Sequence, residues 1–277
     1  MMRNIKLIIQ YDGTKYCGWQ IQKNIKYQKL NIKNKSIQGT IEKALEKILQ
    51  EKVRVIGSGR TDAGVHALAQ VANFKTKSDL TNVQIFRALN SALPSDIRII
   101  CLDEVGLNFN SQFKAKSKTY KYVILIDKTS NPFLNRYCYH IPFSLNLPLM
   151  RKGAKCLEGR HDFKSFCASG SKVNHPVRLI KKISVETGNG FPALTHSTGS
   201  GSILKLTNQG KLVIITIEAD GFLYNMVRNI VGTLIDIARG HLEKGDMKRI
   251  LIGLDRRLAG PTAAAKGLFL CEVKYDE

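Results

Sequence analysis

The stretch GSGRTDAGVHA, residues 57–67, places a cation, Arg60, and a carboxylate, Asp62, two residues apart among Gly57, Gly59 and Gly64. Loops of this kind can cradle phosphate by turning backbone N–H groups toward an anion. The known cradle patterns fail here. Gly59 and Gly64 have P-loop spacing, but Val65 and His66 stand where Lys and Ser/Thr would bind phosphate and magnesium. Asp62 occupies the third glycine of a GxGxxG pattern. No second carboxylate lies nearby for a glycosidase pair, and no Ser/His/Asp order or metal cluster is legible. His66 reads as a core or rim histidine rather than a ligand. Taken alone, Asp62 reads as a turn cap with Arg60 as its local partner. Against that, the loop directly follows a strand-like apolar run, which sets a side chain at the rim of a sheet, where site residues gather. What remains is the chemistry of one ionised carboxylate acting without a cofactor.

Charge indicates what such a carboxylate would act on. The 277-residue chain carries 43 basic and 22 acidic residues, a net charge of +21, with 43% hydrophobic residues, enough for one large or two ordinary domains. Between Asp12 and Glu42 stand Lys15, Lys23, Lys26, Lys29, Lys33 and Lys35 with no acid, and Lys164, Lys172, Arg178, Lys181 and Lys182 fill an acid-free stretch between Asp162 and Glu186. An AT-rich genome would raise lysine but would not thin out glutamate to this extent. The pattern is that of a surface built for a polyanion, and nucleic acid fits better than a membrane because no lysine-rich segment has a matching apolar face. Six cysteines without a CxxC pair indicate reduced, mostly buried thiols rather than a zinc ribbon or a disulfide framework. The N-terminus has too short an apolar run for a signal peptide and no later run reaches a membrane span, so a cytoplasmic protein is expected.

Elements that could position the loop follow from periodicity. Strand-like runs cover 4–11, 53–58, 70–76, 98–105, 119–127, 179–186, 211–219 and 268–275, and helical patterns cover a segment opening at Ser36, then about 81–93, 148–157, 222–239 and 245–253. Without a regular βαβ period the expected class is α+β with a largely antiparallel sheet. A break at GLNFNSQ, 106–112, suggests two halves, 1–108 with the glycine-rich loop and 109–277. Residues 187–210, rich in Gly, Ser and Thr, read as a long hairpin loop, and the lysine-rich 20–36 as an RNA-tracking arm or a neutral insertion. The helix near Phe222 has a broad apolar face, with Asn225, Arg228 and Asn229 together on the other side and Gly232 removing bulk one turn on. By itself Arg228 reads as a solvated helix arginine.

GSGRTDAGVHALAQVANF resembles the catalytic block of the tRNA pseudouridine synthase A family. The resemblance extends through YDGTKYCGWQ, SIQGTIEKAL, NSALPSDI, SKTYKYVI, GRHDFKSF, DGFLYNMVRNIVGTL and AGPTAAAKGLFL, in order along most of the chain. It implies that Asp62 is the catalytic aspartate, that Tyr120 stacks on the target base, that Arg60 helps hold the flipped nucleotide, and that Arg228 pairs with Asp62. It further implies two RNA-binding α/β halves whose sheets join around a central basic cleft, and a homodimer binding the tRNA anticodon stem-loop. The expected targets are uridines 38, 39 and 40, with no metal or cofactor. The chain departs from the family pattern in a longer, more lysine-rich segment between Trp19 and Gln38 and in the expanded 187–210 loop.

Overall fold

The computed structural model describes residues 1–21, 35–170, 174–188, 210–243 and 245–276, so most of the lysine-rich 20–36 stretch and of the 187–210 loop lies outside the described residues. The chain is mixed α+β with a large, mostly antiparallel sheet, as its patterning indicates. Contacts divide it into two units, Met1–Lys116 with Leu270–Glu277, and Ser117–Phe269.

The first unit runs β1 (Arg3–Tyr11), α1 (Ile37–Leu49), β2 (Ile56–Gly57), β3 (His66–Thr76), α2 (Asn82–Ala92) and β4 (Ile97–Val105). β1 lies between β3 and β4, antiparallel to both. Alternation along β1 buries Ile5, Leu7 and Ile9 completely, while Lys6 on the other face meets Asp103 at 3.2 Å. Each such side chain taken from water contributes about 2 kcal/mol. In α1, Ile37, Ile41, Leu45 and Leu49 repeat every four residues and are all buried, and the Ser36 hydroxyl accepts the Gly39 N–H at the helix start. Thr81 and Gln84 form a reciprocal capping box on α2. The strand expected at 53–58 shrinks to two residues. Side chains of α1 take the backbone groups of Val55, Glu42 Oε1 accepting its N–H at 2.9 Å and Gln38 Nε2 donating to its carbonyl at 3.2 Å, so no ladder forms there.

The second unit contains β5 (Ser117–Ile126), β6 (Tyr139–Ile141), α3 (Leu147–Lys155), β7 (Gly159–Asp162), β8 (Val177–Gly188), β9 (Lys211–Ala219), α4 (Met226–Ala238) and α5 (Asp246–Gly253). Its strand order is β6-β5-β9-β8-β7, antiparallel except for the β5–β6 pair. The helices pack on one another and α3 on β8. Tyr122, Ile124, Ile215 and Ile217 of the strands and Ile230 and Leu234 of α4 are fully buried.

β10 (Leu268–Lys274) leads the chain into the residues that close the first unit. The Tyr275 ring packs at a tilt 5.1 Å from that of Phe109, and its hydroxyl donates to the Ser111 carbonyl at 2.8 Å. The 106–112 segment is anchored in the same unit, because Asn4 Nδ2 donates to the Gly106 and Phe109 carbonyls and Asn73 Oδ1 accepts the Ser111 N–H. The cysteines correct one expectation: all six are free thiols, but only Cys138 and Cys167 are buried. Among the described residues, no helix is long and apolar enough to cross a membrane.

Candidate active site

Asp62 lies in the connection between β2 and β3, on a turn closed by the Val65 N–H donating to its carbonyl at 3.2 Å. Gly64 takes the left-handed backbone there, φ 77°, which glycine adopts without a Cβ clash. The base of the connection is tied down by the Ser58 N–H on the Val71 carbonyl at 2.7 Å, the Ser58 hydroxyl on Gln70 Oε1 at 2.7 Å, and Gln70 Nε2 on the Gly59 carbonyl at 3.0 Å. Asp62 is half-buried and Arg60 exposed.

Residues 11–19 close over this loop. The Trp19 backbone N–H donates to the Thr61 carbonyl at 3.0 Å, the Gly64 N–H reaches the Tyr16 carbonyl at 3.4 Å, and the Tyr11 hydroxyl shares a 2.8 Å bond with Thr61 Oγ1. The approach is too close for side chains. A Cβ on Gly13 would stand 2.0 Å from the Val65 carbonyl oxygen, and one on Gly18 2.5 Å from that of Thr61. His66 is a buried histidine, as its sequence context suggests, with Nδ1 accepting the Gly13 N–H at 3.1 Å. Burial raises the Tyr11 phenol pKa, keeping this supporting hydroxyl neutral.

The second unit carries the other two residues. Tyr120 sits in β5 opposite Ile217, 7% exposed, with its ring edge-on to Phe222 at 5.0 Å between centroids. Arg228 is half-buried in the first turn of α4. Its Nε donates to the Ala263 carbonyl at 2.7 Å and Nη1 to Asn225 Oδ1 at 3.2 Å, while its own carbonyl accepts the Ala263 N–H. The guanidinium is therefore fixed, which corrects the reading of a solvated helix arginine. Asn229 also departs from the expected polar face: it is fully buried, its Nδ2 donating to the Phe166 carbonyl and its Oδ1 accepting from Arg256 and Thr262. Gly232 does remove bulk, since a Cβ there would stand 1.7 Å from the Pro261 carbonyl oxygen. The helix starts at Met226, four residues later than expected, because Asn225 takes a left-handed conformation, φ 60°, at its N-cap.

Chemically, the first unit offers a carboxylate on a loop whose main chain is held from both sides, and the second offers an aromatic ring and a pinned guanidinium. Among the described residues, no group of three or more His, Cys, Asp or Glu is arranged to hold a metal. The supporting role of residues 11–19 had one readable sign, the glycines of YDGTKYCGWQ. Contacts of α4 with Thr262 and Ala263, more than thirty residues along the chain, had only Gly232, which marks room for a segment without saying which.

The tRNA pseudouridine synthase family profile matches residues 7–114 and 154–276. The tRNA pseudouridine synthase A of Caldicellulosiruptor saccharolyticus is 43% identical over 99% of this chain and 100% of its own length, and that of Thermoanaerobacter sp. 40% identical over the same shares. The protein named tRNA pseudouridine synthase A 2 from Clostridium tetani is 41% identical over the whole of both chains. With this full-length similarity joined to the catalytic-block residues, the chain belongs to the tRNA pseudouridine synthase family of isomerases.

Proposed function

We propose that the protein converts uridines 38, 39 and 40 of the tRNA anticodon stem and loop to pseudouridine, with Asp62 as nucleophile. The observation that carries this is the placement of Asp62 on a loop fixed through its main chain within a family-matched segment. Uridine and pseudouridine are isomers. The bond from C1′ to N1 breaks, the base turns, C1′ joins C5, the C5 proton leaves and N1 gains a proton. A carboxylate can hold one fragment covalently during the turn, whether it attacks C1′ or C6.

The carboxylate must be ionised, and Arg228 is proposed as its paired cation, since an opposed positive charge favours the charged form. Tyr120 gives the extruded base a face to stack on and a hydroxyl that can take part in moving the C5 proton. Arg60, exposed on the loop, would hold the nucleotide outside its stem, which it must leave before any side chain reaches C1′. The net charge of +21 supports RNA-binding surfaces on both halves, in a cytoplasmic homodimer using both subunits to grip one tRNA.

The test is pseudouridine mapping in tRNA after incubation with the purified protein. Pseudouridine confined to positions 38–40 is expected; conversion elsewhere only, or none, would overturn the substrate assignment.

A further inference from the structure

Two residues before Tyr120, β5 carries Lys118, a partly buried cation with no hydrogen bond or ion pair among the described residues. Alternation places Lys118 on the Tyr120 face of the sheet. Register continues the row across β9 and β8, Lys118 opposite Ala219 and Ala219 opposite Ile180. One step further along that face stand Arg178 on β8 and Gly221 just beyond β9.

Gly221 matters because of what lies against it. A Cβ there would stand 3.4 Å from Arg178 Nε and 3.6 Å from its Cδ, so the Arg178 side chain leans across the end of β9, toward the strand of Lys118. Arg178 Nη1 donates to the carbonyls of His175 and Val177, each at 2.7 Å, which orients the guanidinium. Its Nε and Nη2, the edge that binds an oxyanion with two parallel bonds, have no partner among the described residues.

Two carboxylates on the neighbouring strand end have other partners. Glu218, on the opposite face, accepts from the Ser117 hydroxyl at 2.8 Å, and Asp220 accepts the Leu179 N–H at 2.9 Å. Burial first, and the charge of Arg178 second, lower the Lys118 pKa. Two cations brought together without an anion are unfavourable in the free protein, and a bound anion relieves both costs.

We infer that Lys118 and Arg178 form a subsite for a phosphodiester group of the RNA strand, next to the nucleotide whose base stacks on Tyr120. Lys118 supplies a point charge and Arg178 a two-pronged edge. Two residues of strand separate Lys118 from Tyr120, about 7 Å, within the reach of one nucleotide between base and backbone phosphate. The inference rests on the proposed function, since it takes the RNA strand as its ligand.

Ethylation interference on full-length tRNA tests it, with the wild-type protein, Lys118→Gln, Arg178→Gln and the charge-keeping Lys118→Arg. For each Gln variant KM should rise about tenfold with a smaller change in kcat, and the slope of log affinity against log salt should fall by about one. Ethylation of a phosphate flanking the target uridine should weaken binding to the wild type and to Lys118→Arg but not to the Gln variants. Wild-type salt slopes and interference patterns in both Gln variants would overturn the subsite. Thermal melting checks folding, and if Lys118→Gln unfolds, the more peripheral Arg178→Gln decides by the same two readouts. Absence of any uridine conversion by the wild-type protein would instead defeat the functional reading, and is seen without the variants.

Discussion

The loop of Asp62 and the helix of Arg228 differ in the bonds that fix their backbone and side chains. The first is fixed through its main chain: the bonds that close over it involve the Thr61 carbonyl, the Gly64 N–H and the Asp62 carbonyl. Arg228 is fixed through its own side chain, with Nε and Nη1 committed to Ala263 and Asn225. For a carboxylate proposed as nucleophile, a main chain already tied down beneath it limits what must be ordered when substrate binds. A guanidinium has donors enough to be anchored at Ala263 and Asn225 and still present its charge. Both arrangements depend on a glycine against a carbonyl, Gly13 at Val65 and Gly232 at Pro261.

The most disruptive way to break this comparison is Gly13→Ala. Its Cβ would meet backbone that cannot rotate away, so stability should fall by more than about 3 kcal/mol, beyond ordinary overpacking, and activity should be lost with it. Calorimetric melting alongside a turnover assay reads both; a wild-type melting point would mean that the 11–19 segment does not clamp the loop. A smaller effect is expected for Arg228→Lys, which keeps the charge but cannot make both anchoring bonds. Turnover should drop roughly tenfold to a hundredfold, the scale of losing one or two charge-assisted hydrogen bonds, while melting changes little. Full turnover would show that charge alone, not its fixation, is what the helix supplies.

How much of this was legible in the sequence depends on the reach of each interaction. Caps at Ser36 and Thr81 act within three residues, and the helices they start lie where patterning puts them. Gly232 could be read as space for another segment because only a close approach gives a glycine value inside an apolar helix. Asn229 was misread because its partners Phe166, Arg256 and Thr262 are distant in sequence, and a buried polar residue looks like a surface one until they are known. β6 and β7, of three and four residues, are too short to show a period. The candidate site residues are singled out by motif resemblance, whereas the contacts that hold their loop and helix are tertiary.

Tyr120→Phe sharpens the comparison on the second unit. It preserves the ring and its edge contact with Phe222, so tRNA affinity should be retained while kcat falls by roughly a hundredfold if the hydroxyl handles a proton. Unchanged kcat would restrict Tyr120 to stacking. The smallest effect is expected for Tyr122→Phe, two residues along the same face. It removes only the 2.7 Å bond from the hydroxyl to the Ala264 carbonyl and should cost about 1 kcal/mol in denaturant unfolding, with kcat/KM nearly intact.

The central claim, proposed above, is that Asp62 does the covalent chemistry from a loop whose main chain is tied down. Asp62→Asn, assayed for pseudouridine formation and for tRNA binding in the same preparation, tests it most directly. The amide is nearly isosteric but a poor nucleophile, so conversion should vanish while melting stays at the wild-type value and tRNA binds as tightly or more so, a negative charge facing RNA having been removed. More than a trace of turnover by the folded variant would contradict the assignment of Asp62 as nucleophile.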